Sequence, residues 1–266
     1  MSVDAGVGVG MISGGWGVTG RVRDSGAVLL KLSVIIPVFN EEATIRELVE
    51  RVWAVDLGGV GDGGVSLEVI AVDDASGDGS VGLLAALEAE GKCVVHRHPV
   101  NRGKGAAIRT GVSRVTGDFV VIQDADLEYD PAEYPKLLGP VVSGEADVVY
   151  GSRFLGRSGE GFYGRWHAFG NRVLTWTSNR FTGLGLTDME TCYKLFRREV
   201  LQAIDIEEDR FGFEPEITAK VAKLGVRLVE VPVSYDARSY SAGKKIGWMD
   251  GVAALRCIAK YSLSRG

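Results

Sequence analysis

The stretch Phe119-Val-Val-Ile-Gln-Asp-Ala-Asp126 sets the reading of the whole chain. Four apolar residues in a row are expected of a short strand buried on both faces. The switch to Asp124-Ala125-Asp126 marks its carboxyl end. The same pattern recurs on either side of it. Leu32-Ser-Val-Ile-Ile-Pro-Val38 runs into Asn40-Glu41, residues 67–72 run into Asp73-Asp74, and residues 147–150 run into Ser152-Arg153. A short strand over 93–96 leads to Asn101-Arg-Gly-Lys-Gly105. Helical spacing fills the intervals at 41–53, 80–90, 106–115 and 131–142, the last opened by a proline, which a first helical turn tolerates. Strands and helices alternating at this size predict a three-layer α/β fold around a mostly parallel sheet. Beyond Gly151 the alternation weakens, with helices predicted at 166–181, 215–224 and 246–262 and a strand at 227–233.

Composition sets the outer limits. The 266 residues are 45% hydrophobic and 24% charged, as in ordinary globular chains, which excludes collagen-like, coiled-coil and wholly disordered classes. No apolar run approaches the roughly 18 residues that span a bilayer. Residues 1–27, rich in Gly, Val and Ser and without periodicity, read as a disordered leader lacking the order of a signal peptide. Cys93, Cys192 and Cys257 are far apart and form no CxxC pair, which argues against a disulfide framework or a zinc site and fits a reducing cytoplasm. The net charge of −5 hides an asymmetry. Residues 1–152 hold 12 Lys+Arg against 22 Asp+Glu, whereas residues 153–266 hold 18 against 13. That split suits a site with a metal on one side and anions on the other, or it is an uneven scatter of solvated charge.

In an open parallel sheet, ligands bind beyond the carboxyl ends of the strands. Those ends are the polar positions named above. Asp124 and Asp126 lie about 7 Å apart on one side of an extended chain. Two like charges so close are costly unless a cation bridges them or one is protonated. Glu128 continues the same side. Hard oxygen ligands suit Mg2+ or Mn2+, which accept one or two carboxylates together with substrate phosphates. The alternative is a solvated acidic turn. Asp73-Asp74 suits a ribose or base, or a pair of helix caps. Asn101–Gly105 offers backbone N–H groups and Lys104 at a helix start, an anion cradle or a plain glycine turn. Gly15-Trp-Gly-Val-Thr-Gly fits a dinucleotide fingerprint literally, but no strand precedes it and no helix follows. His96 and His98 find no third ligand and read as structural.

The ordered set Pro37-Val-Phe-Asn-Glu41, Val72-Asp-Asp74, Asn101-Arg-Gly-Lys-Gly105, Asp124-Ala-Asp126 and Gly151-Ser-Arg153 resembles family 2 glycosyltransferases of the GT-A fold. Within them it is most similar to the polyprenyl-phosphate sugar transferases, the dolichyl-phosphate mannose synthase group. Thr187-Asp-Met-Glu-Thr-Cys-Tyr-Lys194, Phe213-Glu-Pro-Glu216 and the Arg238–Lys244 pair extend the match. The resemblance implies a Rossmann-like GT-A domain over 28–266, with a nucleotide-sugar half at 28–152 and a helical acceptor half at 153–266. It implies inverting transfer of a hexose from a nucleotide-diphosphate sugar, GDP-mannose or UDP-glucose, to a polyprenyl phosphate. The alternative within the family is a saccharide or small-molecule hydroxyl acceptor.

On this resemblance Pro37, Asn40, Glu41 and Asp73 contact the nucleoside, Lys104 the anionic donor, and Asp124, Asp126 and Glu128 hold Mg2+ or Mn2+. Arg153, Arg238 and Lys244 meet donor or acceptor phosphates. The family often has Gln at position 128 and Gly at position 192. A phosphate dianion needs no general base, whereas a hydroxyl acceptor gains from one. Asp188 is the candidate base, so its replacement by Asn is expected to be mild with a phosphate acceptor and severe with a hydroxyl. No nucleic-acid partner is expected. The basic run from Arg238 to Arg265, with Trp248, Met249, Leu255, Ile258 and Tyr261 as an apolar face, predicts contact with the inner face of a membrane. That contact is either direct or made through a separate membrane-anchoring subunit.

Overall fold

A computed structural model describes residues 21–22, 28–155, 165–236 and 248–264. Among these residues the strands are β1 (Arg21–Val22), β2 (Val28–Val38), β3 (Val65–Asp73), β4 (Val94–Arg97), β5 (Phe119–Ile122), β6 (Val148–Ser152), β7 (Lys194–Arg197) and β8 (Leu228–Pro232). The helices are α1 (Ile45–Trp53), α2 (Ser80–Ala89), α3 (Lys104–Val112), α4 (Tyr134–Val142), α5 (Arg165–Thr182), α6 (Arg198–Gln202), α7 (Phe213–Leu224) and α8 (Trp248–Leu263). A single 3-10 turn at Pro131–Glu133, capped by the Asp130 carboxylate accepting from the Ala132 amide, precedes α4. The main sheet runs β4-β3-β2-β5-β7-β6-β8.

The apolar runs that read as doubly buried strands are so. Leu32, Val34, Ile35, Ile36 and Val38 of β2 and all four residues of β5 are buried in one continuous core. Helix α3 lies on β2 and β3, α4 lies against β6 and β7, and α5, α7 and α8 pack on one another. The three cysteines are free and buried.

Two elements depart from the sequence reading. Strand β7, with α6 directly after it, was not predicted. It runs antiparallel between β5 and β6, pairing Val120 with Phe196 and Tyr150 with Lys194. Its charged ends hide it in the sequence, yet both are buried. Lys194 Nζ donates to the carbonyls of Met189 and Thr191 and sits 4.6 Å from the Tyr150 ring centre, and Arg197 pairs with Asp147 at 3.1 Å. The second departure is β1, inside the stretch read as a disordered leader, which pairs antiparallel with Val28 and Leu29. The rest of that leader lies outside the described residues.

Candidate active site

The strand ends converge at one edge of the sheet, and the backbone is strained there. Among the described residues, the non-glycine positions with left-handed φ are Asn40 (56°), Ala75 (62°) and Leu127 (62°). They follow β2, β3 and β5 respectively. Strain of this kind persists only where surrounding structure over-determines it, and it clusters at functional sites.

The first group of residues forms one linked loop pair. Pro37 lies near the end of β2, in register with Val72 of β3. The Asn40 amide donates to Ser76 Oγ and its side-chain Oδ1 accepts from the Gly77 amide. The Glu41 amide donates to Ser80 Oγ. Asp73 is buried and accepts from the Ser76 amide through Oδ1. Its Oδ2 lies 2.9 Å from Arg97 Nε, out of line for a hydrogen bond, so this buried oxygen has acceptor capacity to spare. Asp74 is spent differently. Its oxygens accept from the amides of Arg102 and Gly103, and Oδ1 lies 2.7 Å from His98 Nδ1. His98 is thus the buried structural residue the sequence implied, held on its other side by Thr110.

The anion-cradle reading of Asn101–Gly105 narrows accordingly. Arg102 and Gly103 already spend their amides on Asp74, and the Ala106 amide donates to the Asp209 carbonyl. A Cβ on Gly105 would come within 2.1 Å of the Glu208 carbonyl oxygen, so this glycine is needed for close packing. What faces the site is Lys104. Its Nζ lies 2.8 Å from Asp124 Oδ1 and 2.9 Å from Glu214 Oε1. Burial alone would lower its pKa, but Asp124 and Glu214 outweigh that and keep it firmly protonated.

Gln123 fixes the acidic turn. Its buried side-chain amide donates to the carbonyls of Asp124 and Tyr129, while its Oε1 accepts from the hydroxyls of Tyr134 and Tyr193. Asp126 accepts from the Glu128 amide through Oδ1. Glu128, the third carboxylate expected at the ion, is held by a tyrosine. Its Oε2 accepts a 2.6 Å hydrogen bond from Tyr235, and no three His, Cys, Asp or Glu residues converge on a metal position among the described residues. Asp124 and Asp126 remain as partly accessible hard-oxygen donors, which fits an ion that takes two carboxylates and fills its shell with phosphate and water oxygens.

Across the gap sits a second charged unit. Arg153 donates from Nε and Nη2 to the two oxygens of Asp188, at 2.6 and 2.8 Å, and its amide donates to the same carboxylate. Asn171 supplies a fourth donor to Asp188. The Arg153 guanidinium lies 5.1 Å from the centre of the Tyr235 ring, so one tyrosine links Glu128 to the arginine fork. Glu230, itself buried enough to raise its pKa, accepts from the amides of Thr187 and Asp188 and orients the segment. Asp188, the base expected for a hydroxyl acceptor, is 0% exposed with four donors on its two oxygens. A saturated carboxylate anchors Arg153.

Sequence reasoning did not assign Gln123, Glu190, Glu214, Glu230 or Tyr235. Gln123, Glu190 and Glu214 lay within quoted stretches, and Glu230 and Tyr235 carry no local pattern. Arg238 and Lys244 lie outside the described residues, as do the side chains of Trp248 and Met249. The predicted apolar face of the last helix is corrected: Ile258 and Tyr261 are buried, leaving Leu255 exposed.

This sheet has the GT-A glycosyltransferase fold. Over 89% of this chain and 82% of the other, it superposes on glucosyl-3-phosphoglycerate synthase from Mycobacterium tuberculosis with a TM-score of 0.66 at 22% identity. The chain belongs to glycosyl transferase family 2, whose family model matches residues 33–205. It is 32% identical over 247 residues to the undecaprenyl-phosphate mannosyltransferase of Micrococcus luteus, covering 88% of this chain and 95% of that one. It is also 32% identical over 212 residues to a low-salt glycan biosynthesis hexosyltransferase of Haloferax volcanii, covering 79% of this chain. Against an undecaprenyl-phosphate 4-deoxy-4-formamido-L-arabinose transferase of Pseudomonas aeruginosa the identity is 33% over 218 residues, or 80% of this chain. The chain spans about half (49%) of the Haloferax protein and 60% of the Pseudomonas one. Among the described residues, no helix is long and apolar enough to cross a membrane.

Proposed function

We propose that this protein transfers a hexose, with inversion, from a nucleotide-diphosphate sugar to a polyprenyl phosphate, with Mg2+ or Mn2+ as cofactor. The observation that carries the reading is the buried Arg153–Asp188 fork, linked through Tyr235 to Glu128 of the turn that holds Asp124 and Asp126. It supplies a cation for an anionic acceptor and consumes the carboxylate that a hydroxyl acceptor would use as base. The names of the Micrococcus and Pseudomonas relatives agree with a polyprenyl-phosphate acceptor. The complex of the mycobacterial synthase with Mn2+ and UDP-glucose agrees with a metal-assisted sugar-nucleotide donor.

In this reading Pro37, Asn40, Glu41 and the spare oxygen of Asp73 hold the nucleoside, and Asp124 and Asp126 hold the ion. The ion, when bound, offsets the negative charge that grows on the departing diphosphate. Lys104 neutralises charge on the same side. Arg153 orients the lipid phosphate, which is largely a dianion near pH 7 and attacks without a base. Arg238 and Lys244 add positive charge for the phosphates. In-line attack inverts the anomeric centre.

A donor-by-acceptor matrix tests the proposal, with radiolabelled GDP-mannose and UDP-glucose against polyprenyl phosphate and a saccharide, each with Mn2+ or with chelator. Metal-dependent label in the organic phase is the expected result. Label found only on the saccharide would replace this reading with the hydroxyl-acceptor one.

The lipid acceptor calls for a membrane-facing surface, and α5 fits that need. Phe169, Val173 and Trp176 recur along one side of the helix, and the first and last are 61% and 69% exposed. Arg172 and Arg180 are exposed among them, and α5 contains no acidic residue. Helix α8, packed against α5, adds exposed Val252, Leu255 and Arg256. An amphipathic, basic, aromatic face of this kind suits an anionic leaflet. The double variant Phe169→Glu, Trp176→Glu is expected to lower sedimentation with phosphatidylglycerol vesicles at least tenfold, since burying one such side chain contributes about 1.5–3 kcal/mol. Sugar-nucleotide binding in solution should be unchanged. Vesicle binding equal to wild type would remove this face from the membrane contact.

A further inference from the structure

The antiparallel strand has a consequence for the centre of the site. Because β7 runs against both β5 and β6, its amino end lies at the carboxyl edge of its two neighbours. The segment 188–193 therefore enters the gap between the turn after β5, which carries Asp124 and Asp126, and the turn after β6, which carries Arg153. The backbone of that segment is pinned almost residue by residue. Asp188 is bound to Arg153, the Met189 amide donates to Thr175 Oγ1, and the carbonyls of Met189 and Thr191 accept from Lys194. The Cys192 amide donates to the Tyr129 hydroxyl, and its Sγ lies 3.7 Å from the Ile122 carbonyl at the end of β5.

Glu190 is the exception within this fixed segment. The residue as a whole is half-buried, and its Oε1 is buried with no hydrogen-bond partner. An unpaired buried oxygen costs about 1–3 kcal/mol, and a ligand hydroxyl that reached it would remove that cost. The ionisable groups acting on Glu190 come from both sides of the gap: Glu214 of α7, beside Lys104 and Asp124, Lys194 of β7, and the Arg153–Asp188 pair. Burial, with Glu214 adding to it, raises the carboxyl pKa to about 8, so near pH 7 the group is mostly the neutral acid, which both donates and accepts.

We propose that Glu190 is the residue that reads the sugar of the donor, hydrogen-bonding one or two hydroxyls of the hexose held between the diphosphate side and the acceptor side. The inference rests on the sugar-nucleotide reading above. It assigns Glu190 to specificity and orientation and not to proton abstraction.

The test is calorimetric binding in the presence of Mn2+, using GDP, GDP-mannose, UDP and UDP-glucose with wild type, Glu190→Ala and Glu190→Gln. The expected result for Glu190→Ala is a roughly tenfold loss in affinity for the sugar nucleotide that wild type prefers, the effect of about 1.4 kcal/mol of lost hydrogen bonding. Affinity for the matching nucleoside diphosphate should stay unchanged. Glu190→Gln, which keeps a donor and an acceptor, is expected to retain most of the sugar-dependent affinity and most of the turnover. Deoxy analogues of the preferred sugar sharpen the result. The analogue lacking the contacted hydroxyl should bind wild type and Glu190→Ala equally well.

An equal loss for nucleotide and sugar nucleotide would overturn the proposal in favour of a structural role. Normal binding by Glu190→Gln with collapsed turnover would overturn it in favour of a general base. If wild type binds no sugar nucleotide more tightly than its parent diphosphate, the donor reading itself fails and takes this inference with it. That result is recognisable because it appears before any substitution is made.

Discussion

Arg153→Lys is expected to lower transfer to polyprenyl phosphate by about 10²–10³-fold, the usual cost of losing one preorganised donor to a reacting anion, with little change in donor affinity. The reason is geometric. Nε and Nη2 of Arg153 are committed side by side to Asp188, which fixes the plane of the guanidinium beside the Tyr235 ring. A lysine restores the charge but has neither the fork nor the flat face. Complete removal of the arginine is a poorer test. It would leave the Asp188 carboxylate buried without its cation, which costs about 3–5 kcal/mol of stability.

The same pair changes what Asp188→Asn should do. The sequence predicts a variant that is mild with a phosphate acceptor and severe with a hydroxyl. With Asp188 saturated by Arg153 and Asn171, the loss acts through the arginine and is expected to be comparable for either acceptor. Parallel assays with polyprenyl phosphate and a saccharide check this. A variant that spares the phosphate reaction and abolishes the hydroxyl one would return Asp188 to the role of base.

Asp126→Asn carries the other large effect. The amide keeps the shape of the turn and an oxygen for the Glu128 N–H, but it removes one of the two negative charges offered to a divalent ion. Losing several kcal/mol of charge stabilisation corresponds to about a thousandfold in turnover. The accompanying signature is in binding. In wild type, Mn2+ should tighten nucleoside diphosphate binding, and in the variant that enhancement should disappear. Asp124→Asn is a less direct probe, because it also frees Lys104 from one of its two carboxylates. Wild-type turnover and an undiminished Mn2+ response in Asp126→Asn would remove the acidic turn from the reaction.

Much of this molecule is written in short-range patterns. The strand-to-polar-end grammar of β2, β3, β5 and β6 places Asn40, Asp73, Asp124 and Arg153 at one sheet edge with no knowledge of tertiary contacts. The sequence does not reveal how those residues are spent. Adjacent Asp73 and Asp74 look equivalent, yet one keeps a spare oxygen and the other is consumed in holding the Arg102–Gly103 backbone. Asp188 reads as a base until Arg153, 35 residues away, is seen to cover it. Strand β7 escapes detection because its terminal Lys194 and Arg197 are buried through long-range partners, the Tyr150 ring and Asp147, which no local periodicity records. Tyr235 lies 107 residues from Glu128, so its hold on that carboxylate is equally invisible in one dimension.

The ammonium of Lys104, lodged between Asp124 and Glu214, means that the chain brings its own counter-ion to the acidic edge. Charge balance there is internal. The turn that receives the dication can therefore be assembled during folding itself, and the nucleotide arrives at a finished cleft with a resident lysine able to exchange partners.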